Sequence, residues 1–84
     1  MEIRMNKITQ IINEWDPLEF FPMAPADEYS TEIQQIFEYI SQNKNLQIWQ
    51  LAQVINEIFL SSFGQEIYKE DLNQCEEIAR KILN

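Results

Sequence analysis

The chain has no histidine, one cysteine and one glycine among its 84 residues, and each shortage removes a class of function. Without histidine, zinc and haem lose their commonest ligands. Serine–histidine and cysteine–histidine nucleophilic schemes fall away with it. A single glycine cannot build a phosphate-cradling loop. No segment has the Asp-x-Asp-x-Asp-Gly spacing of a helix-loop-helix calcium site, so neither a metal nor a cofactor is expected. Cys75 has no partner for an internal disulfide and fits a reducing cytosol. Positive charge is scarce as well: six Lys and Arg stand against 14 Asp and Glu, a net charge of −8. Binding to DNA, RNA or an acidic membrane is therefore not expected, because the counterion-release term needs clustered bases. Long apolar runs are missing too. The opening Met1-Glu2-Ile3-Arg4 is no signal peptide, and the stretch from Ile48 to Phe63 is broken by Gln50, Gln53, Asn56 and Glu57. These absences point to a soluble, cytoplasmic protein.

What is present suits one small domain spanning 1–84, with 45% apolar residues and enough aromatics for a single core. The apolar residues recur at helical spacing throughout, and no strand-like alternation occurs. Met5, Ile8, Ile11, Ile12 and Trp15 mark a first helix over 2–15, which Pro17 ends by pushing Asp16 out of the helical region. Tyr29, Ile33, Ile36, Phe37 and Ile40 mark a second over 28–42, capped by Asp27 or Ser30, with Glu28 and Glu32 favouring the helix dipole. A third, over 46–63, carries Ile48, Leu51, Ala52, Ile55, Ile58, Phe59 and Phe63. Trp49, Val54 and Leu60 widen its stripe, which makes it the most buried helix, and Gly64 supplies a left-handed cap. A fourth, over 71–83, turns Leu72, Cys75, Ala79 and Ile82 inward behind an Asp71–Gln74 capping box. The fold class is all-α, a small four-helix bundle with a long connector between helices one and two.

That connector concentrates the individuality of the chain. It holds all three prolines, Trp15, Phe20, Phe21, Met23 and Tyr29, and the acids Asp16, Glu19, Asp27 and Glu28. At about a dozen residues it exceeds the usual link between bundle helices. Phe20, Phe21 and Met23 are too apolar for a solvated loop and are expected to fold back over the core. Trp15 reads first as a core tryptophan closing the bundle end, its indole N–H bonded to a carbonyl or carboxylate. Asp16 reads first as a turn-maker that bonds backbone N–H groups of the connector. Glu14, Asp16, Asp27 and Glu28 offer carboxylates for acid–base work, but helix ends use acids for capping, and nothing nearby supplies a nucleophile. An enzyme is not expected, and Cys75 reads as a small buried hydrophobe.

Charge suggests a different use. No base lies between Lys7 and Lys44, while Glu14, Asp16, Glu19, Asp27, Glu28, Glu32 and Glu38 all do. That segment carries −7 and the rest of the chain about −1 by the same formal count. Aromatics ringed by acids suit an interface with a basic protein partner, for which Asp16, Glu19, Phe20, Phe21, Asp27 and Glu28 are the candidate contacts. Two readings stay open: a non-enzymatic binding module, or a structural or housekeeping helical protein, including a homo-oligomer, whose connector serves only the fold.

The segments Ile-Ile-Asn-Glu-Trp-Asp-Pro-Leu (11–18) and Ala-Pro-Ala-Asp-Glu-Tyr (24–29), with Glu32-Ile33 and Phe63-Gly64, resemble domain-of-unknown-function family 1871. The resemblance covers nearly the whole chain, and its distinctive pieces are Trp-Asp-Pro and Asp-Glu-Tyr. It implies a compact helical domain, of a group found mainly in bacilli and their relatives, with no assigned activity and no catalytic residues to transfer. The chain departs from the pattern where Glu19-Phe20-Phe21 replaces a glycine-containing turn and Ser30 follows the tyrosine. Similar pieces occur in small acidic proteins of the toxin-neutralising, immunity type, which extends the binding-module reading to an inhibitor of a basic toxin.

Overall fold

The computed structural model describes residues 3–84. Its four helices are α1 (Met5–Trp15), α2 (Ser30–Gln42), α3 (Ile48–Phe63) and α4 (Leu72–Leu83), and no strand occurs among the described residues. The expected start of the first helix at Glu2 lies outside the described residues; Arg4, just before α1, is extended. Each helix packs against two neighbours: α1 on α2 and α4, and α3 on α2 and α4. The result is an up-down-up-down square in which α1 lies diagonal to α3. Side chains cross that diagonal, with Trp15 set edge-on against Phe59 at 5.2 Å between ring centroids.

The core follows the periodic stripes. Ile8 and Ile12 of α1, Ile33 and Ile36 of α2, Leu51, Ala52, Ile55 and Phe59 of α3, and Cys75, Ile78, Ala79 and Ile82 of α4 are all buried. Three apolar residues behave otherwise. Trp49 is 56% exposed. It stands two positions before Leu51, about 160° around the helix from the buried face, so widening the stripe does not reach it. Leu72, expected inward, is also exposed, because as the first residue of α4 it precedes the turn that meets the core. Met23, expected to fold back, is 93% exposed at the tip of a turn closed by Ala24 N–H donating to the Phe20 carbonyl at 2.9 Å.

The helix ends differ from expectation in ways that matter for the connector. Neither Asp27 nor Ser30 caps α2. Tyr29 occupies the N-cap position without a side-chain cap, and residues 26–29 form a turn in which Ser30 N–H bonds the Asp27 carbonyl. Glu32 lies in the first turn as expected, yet it is only 5% exposed. At α3, Gln50 reaches back to the Gln47 N–H at 2.9 Å, which starts the helix at Ile48 rather than Leu46. Gly64 ends it at φ 80°, ψ 159°, a region open only to glycine rather than the left-handed cap expected. At α4 the capping box is half made. Asp71 accepts from Gln74 N–H at 3.2 Å, but the Gln74 side chain is spent on Trp15. No helix among the described residues is long and apolar enough to cross a membrane.

Candidate functional site

The connector is organised around one carboxylate and one phenol. Asp16, released from α1 by the proline that follows, sits in the left-handed region at φ 43°, ψ 63°, which a short polar side chain tolerates. Its own N–H still closes α1 by bonding the Ile12 carbonyl at 2.9 Å. From there Asp16 Oδ1 accepts from Phe20 N–H at 2.9 Å, and Oδ2 from Phe21 N–H at 3.1 Å. The turn-making role expected of Asp16 is what the structure contains. A third bond was not foreseen: the Tyr29 hydroxyl donates to Asp16 Oδ1 at 2.6 Å and accepts from Leu18 N–H at 3.2 Å. Burial alone would raise the Asp16 pKa, but the bonds from Tyr29, Phe20 and Phe21 outweigh it and hold the carboxyl below its usual range. The same contact works on Tyr29 in the opposite sense, since burial first and the adjacent carboxylate second push its phenol well above the usual value.

Rings complete the arrangement. Tyr29 is fully buried, with Phe20 stacked on it at 5.5 Å and Phe21 edge-on at 5.7 Å. Phe59 and Phe63 of α3 meet its other sides at 5.8 and 6.3 Å. Phe20 and Phe21 therefore fold back over the core as expected, and both remain half-buried. Trp15 is half-buried beside them, and its indole N–H donates to a carbonyl as expected, the side-chain carbonyl of Gln74 at 3.1 Å. Of the six candidate contacts, Asp16, Phe20 and Phe21 thus form the inner layer of the connector. Glu19, Asp27 and Glu28 are exposed.

Antiparallel topology then brings distant charges to the same place. The ends of α1 and α3 and the starts of α2 and α4 share one end of the bundle, as the Trp15–Gln74 and Tyr29–Phe59 contacts require. Glu14, Asp16, Glu19, Asp27, Glu28 and Glu32 are joined there by Glu66, Glu70 and Asp71, and Lys69 is the one base among them. Exposed Met23, Ile67 and Leu72 belong to the same end. Beside it, a groove of about 350 Å³ runs between α1 and the start of α2, with Met5, Ala26 and Ile33 as its apolar walls and Asp27 on its rim. Glu14 is taken up by Gln10 Nε2 at 3.2 Å, and no group of three or more Cys, Asp or Glu among the described residues is placed to hold a metal.

A second buried polar cluster lies on the other side of Phe59, where the sequence offered no motif. Tyr68 comes from the α3–α4 loop, which folds under the end of α3 when its N–H bonds the Gly64 carbonyl at 2.9 Å. Its ring stacks on Phe59 at 5.7 Å and its hydroxyl donates to Asn56 Oδ1 at 2.9 Å. Cys75 Sγ lies 3.4 Å from that hydroxyl, and Asn56 Nδ2 donates to Glu70 at 2.8 Å. Cys75 is fully buried, and burial, with help from Asp71 and Glu70, pushes its thiol pKa up. Burial and the raised pKa both disfavour the thiolate, and Cys75 packs as a small hydrophobe with a weak donor.

The comparisons agree with the residues that carried the resemblance. No curated protein matches the chain, and no solved structure does. The family model described as a domain of unknown function, DUF1871, matches residues 7–84. The Trp-Asp-Pro and Asp-Glu-Tyr pieces of the resemblance are the two halves of the Asp16–Tyr29 network, and the match runs through every helix around it. This chain belongs to the DUF1871 family.

Proposed function

We propose that the chain is a non-enzymatic protein-binding module whose acidic end receives a basic protein partner. The observation that carries this reading is the gathering of nine acids, one base and three exposed apolar side chains at a single end of the bundle. Such a surface speeds encounter with a positive partner and offers apolar anchors once contact is made. In this reading Glu19, Asp27 and Glu28 meet the partner, while Asp16, Phe20 and Phe21 hold the contact surface rigid from behind. The finer form is an immunity-type inhibitor that covers a basic toxin in the cytoplasm, a setting that suits a lone thiol.

Affinity capture with mass spectrometry, run in parallel on the parent and on an Asp27→Lys, Glu28→Lys double variant, tests it. The expected result is a basic protein retained by the parent and lost by the variant. Identical captures from both would overturn the reading. A second reading has its own support, since the carboxylate of Asp16 and the rings of Phe20 and Phe21 are spent inside the fold. In that case the connector is purely architectural, and the chain is a structural helical protein or a homodimer, which sedimentation of the purified protein distinguishes.

A further inference from the structure

The topology that gathers the acids also gathers the bases, at the opposite end. Arg4 and Lys7 start α1, Lys44 follows α2, and Arg80 and Lys81 lie in the last turn of α4. Lys7 Nζ donates to the Asn84 carbonyl at 2.6 Å, which fixes these ends beside each other. Five of the six bases of the chain are thus at one pole of a protein whose net charge is −8. No such cluster is visible in the linear sequence, where the five are spread over 78 positions from Arg4 to Lys81.

At this pole a groove of about 620 Å³ opens between the α2–α3 turn and the ends of α1 and α4. Ile3, Phe37, Ile40, Leu46 and Leu83 line it together with Ser41, Asn43, Lys44 and Asn45, and none of the five apolar residues is fully buried. Lys44 stands in the same wall, on an exposed turn. The volume lies within the range of small-molecule sites, and the lining sets an apolar side beside a polar one. One cation beside a strip of aliphatic and aromatic carbon is complementary to an apolar tail with a negative head. A cationic amphiphile would meet the local bases, and an uncharged one would leave Lys44 unused.

We infer that this groove binds an anionic amphiphile, a medium-chain carboxylate, with its tail against Phe37, Ile40 and Leu46 and its carboxylate at Lys44. The inference is independent of the basic-partner reading, which concerns the other pole. The probe is decanoate, titrated below its micelle concentration into the ¹⁵N-labelled full chain and followed by amide chemical shifts. Decanol and decyltrimethylammonium serve as head-group controls. Saturable shifts confined to residues 37–46 and the end of α4 are expected with decanoate, weaker ones with decanol and weakest with the ammonium. Lys44→Glu lies on an exposed turn, and it should weaken decanoate by about fivefold, near the upper value of an exposed ion pair. Leu46→Gln should weaken all three probes alike. The inference is overturned if decanoate gives no saturable shift there, if the three head groups bind equally, or if Lys44→Glu leaves the decanoate affinity unchanged.

Discussion

Asp16 makes the most local decisions of any residue in the chain. Replacing it with asparagine removes the charge from three hydrogen bonds at once, and stability should fall by about 1–3 kcal/mol, measured by urea denaturation at pH 7. The depressed pKa adds a pH signature. A carboxyl held below its unfolded value of about 3.9 contributes stability that is complete above that pH and is lost as pH falls through the folded value. The parent should therefore lose stability below about pH 4 more steeply than Asp16→Asn, and parallel acid transitions would refute the network. Tyr29, Tyr68 and Cys75 carry raised values and act in the opposite window. Their stabilisation is complete below their unfolded values, about 8.5 for the thiol and 10 for the phenols, and is lost as pH rises beyond them. Tyr68→Phe leaves Asn56 Oδ1 with only the Cys75 thiol at 4.0 Å and should cost about 1–3 kcal/mol, and it removes the larger of the two phenol contributions to alkaline sensitivity. A melting temperature equal to that of the parent would show that water replaces the lost hydroxyl.

At the scale of elements, the helices could be read from the sequence because each buries one stripe and the stripe has the helical period. Gly64 and Pro17 marked their stops for reasons local to the backbone. The connector was half readable: Asp16 as turn-maker and the return of Phe20 and Phe21 follow from their types, whereas the bond to Tyr29 joins residues 13 apart and depends on a path that no propensity encodes. Tyr68 and Asn56 were silent in the sequence because their meaning lies in a cluster drawn from α3, a loop and α4. Trp49 misled because a wide apolar arc on a helix does not say which part of the arc another helix covers. Gly64 offers a test of element ending. A methyl group there meets nothing within 4 Å, so Gly64→Ala should cost about 1–3 kcal/mol through backbone strain alone. An unchanged denaturation midpoint would mean that the turn readjusts freely.

For the whole molecule, charge separation decides the response to solvent. Nine acids crowd one end with Lys69 as the one base among them, and like charges at close range oppose folding until salt screens them. The melting temperature should accordingly rise between about 0.01 and 0.5 M sodium chloride, as the screening length falls from about 30 Å to below 8 Å. A fall over that range would show that attraction between the two poles outweighs repulsion within one. None of this could be taken from the linear charge pattern. The sequence places −7 between Lys7 and Lys44, but the up-down-up-down path leaves Glu38 toward the other end, adds Glu66, Glu70 and Asp71 to the remaining six acids and carries five of the six bases away.

The two tryptophans stand at opposite poles. Trp15, half-buried on Phe59, belongs to the acidic end, and Trp49, open to solvent, begins α3 among the bases. The protein thus carries two intrinsic optical reporters that differ in electrostatic surroundings as well as in exposure. Iodide, an anionic quencher, is drawn to Trp49, while caesium gathers at the pole where Trp15 is shielded by its neighbours. Their Stern–Volmer slopes should differ for the two indoles in opposite senses, and the electrostatic part of that difference shrinks as salt flattens the field. The emission spectrum alone can then report which pole a bound molecule covers.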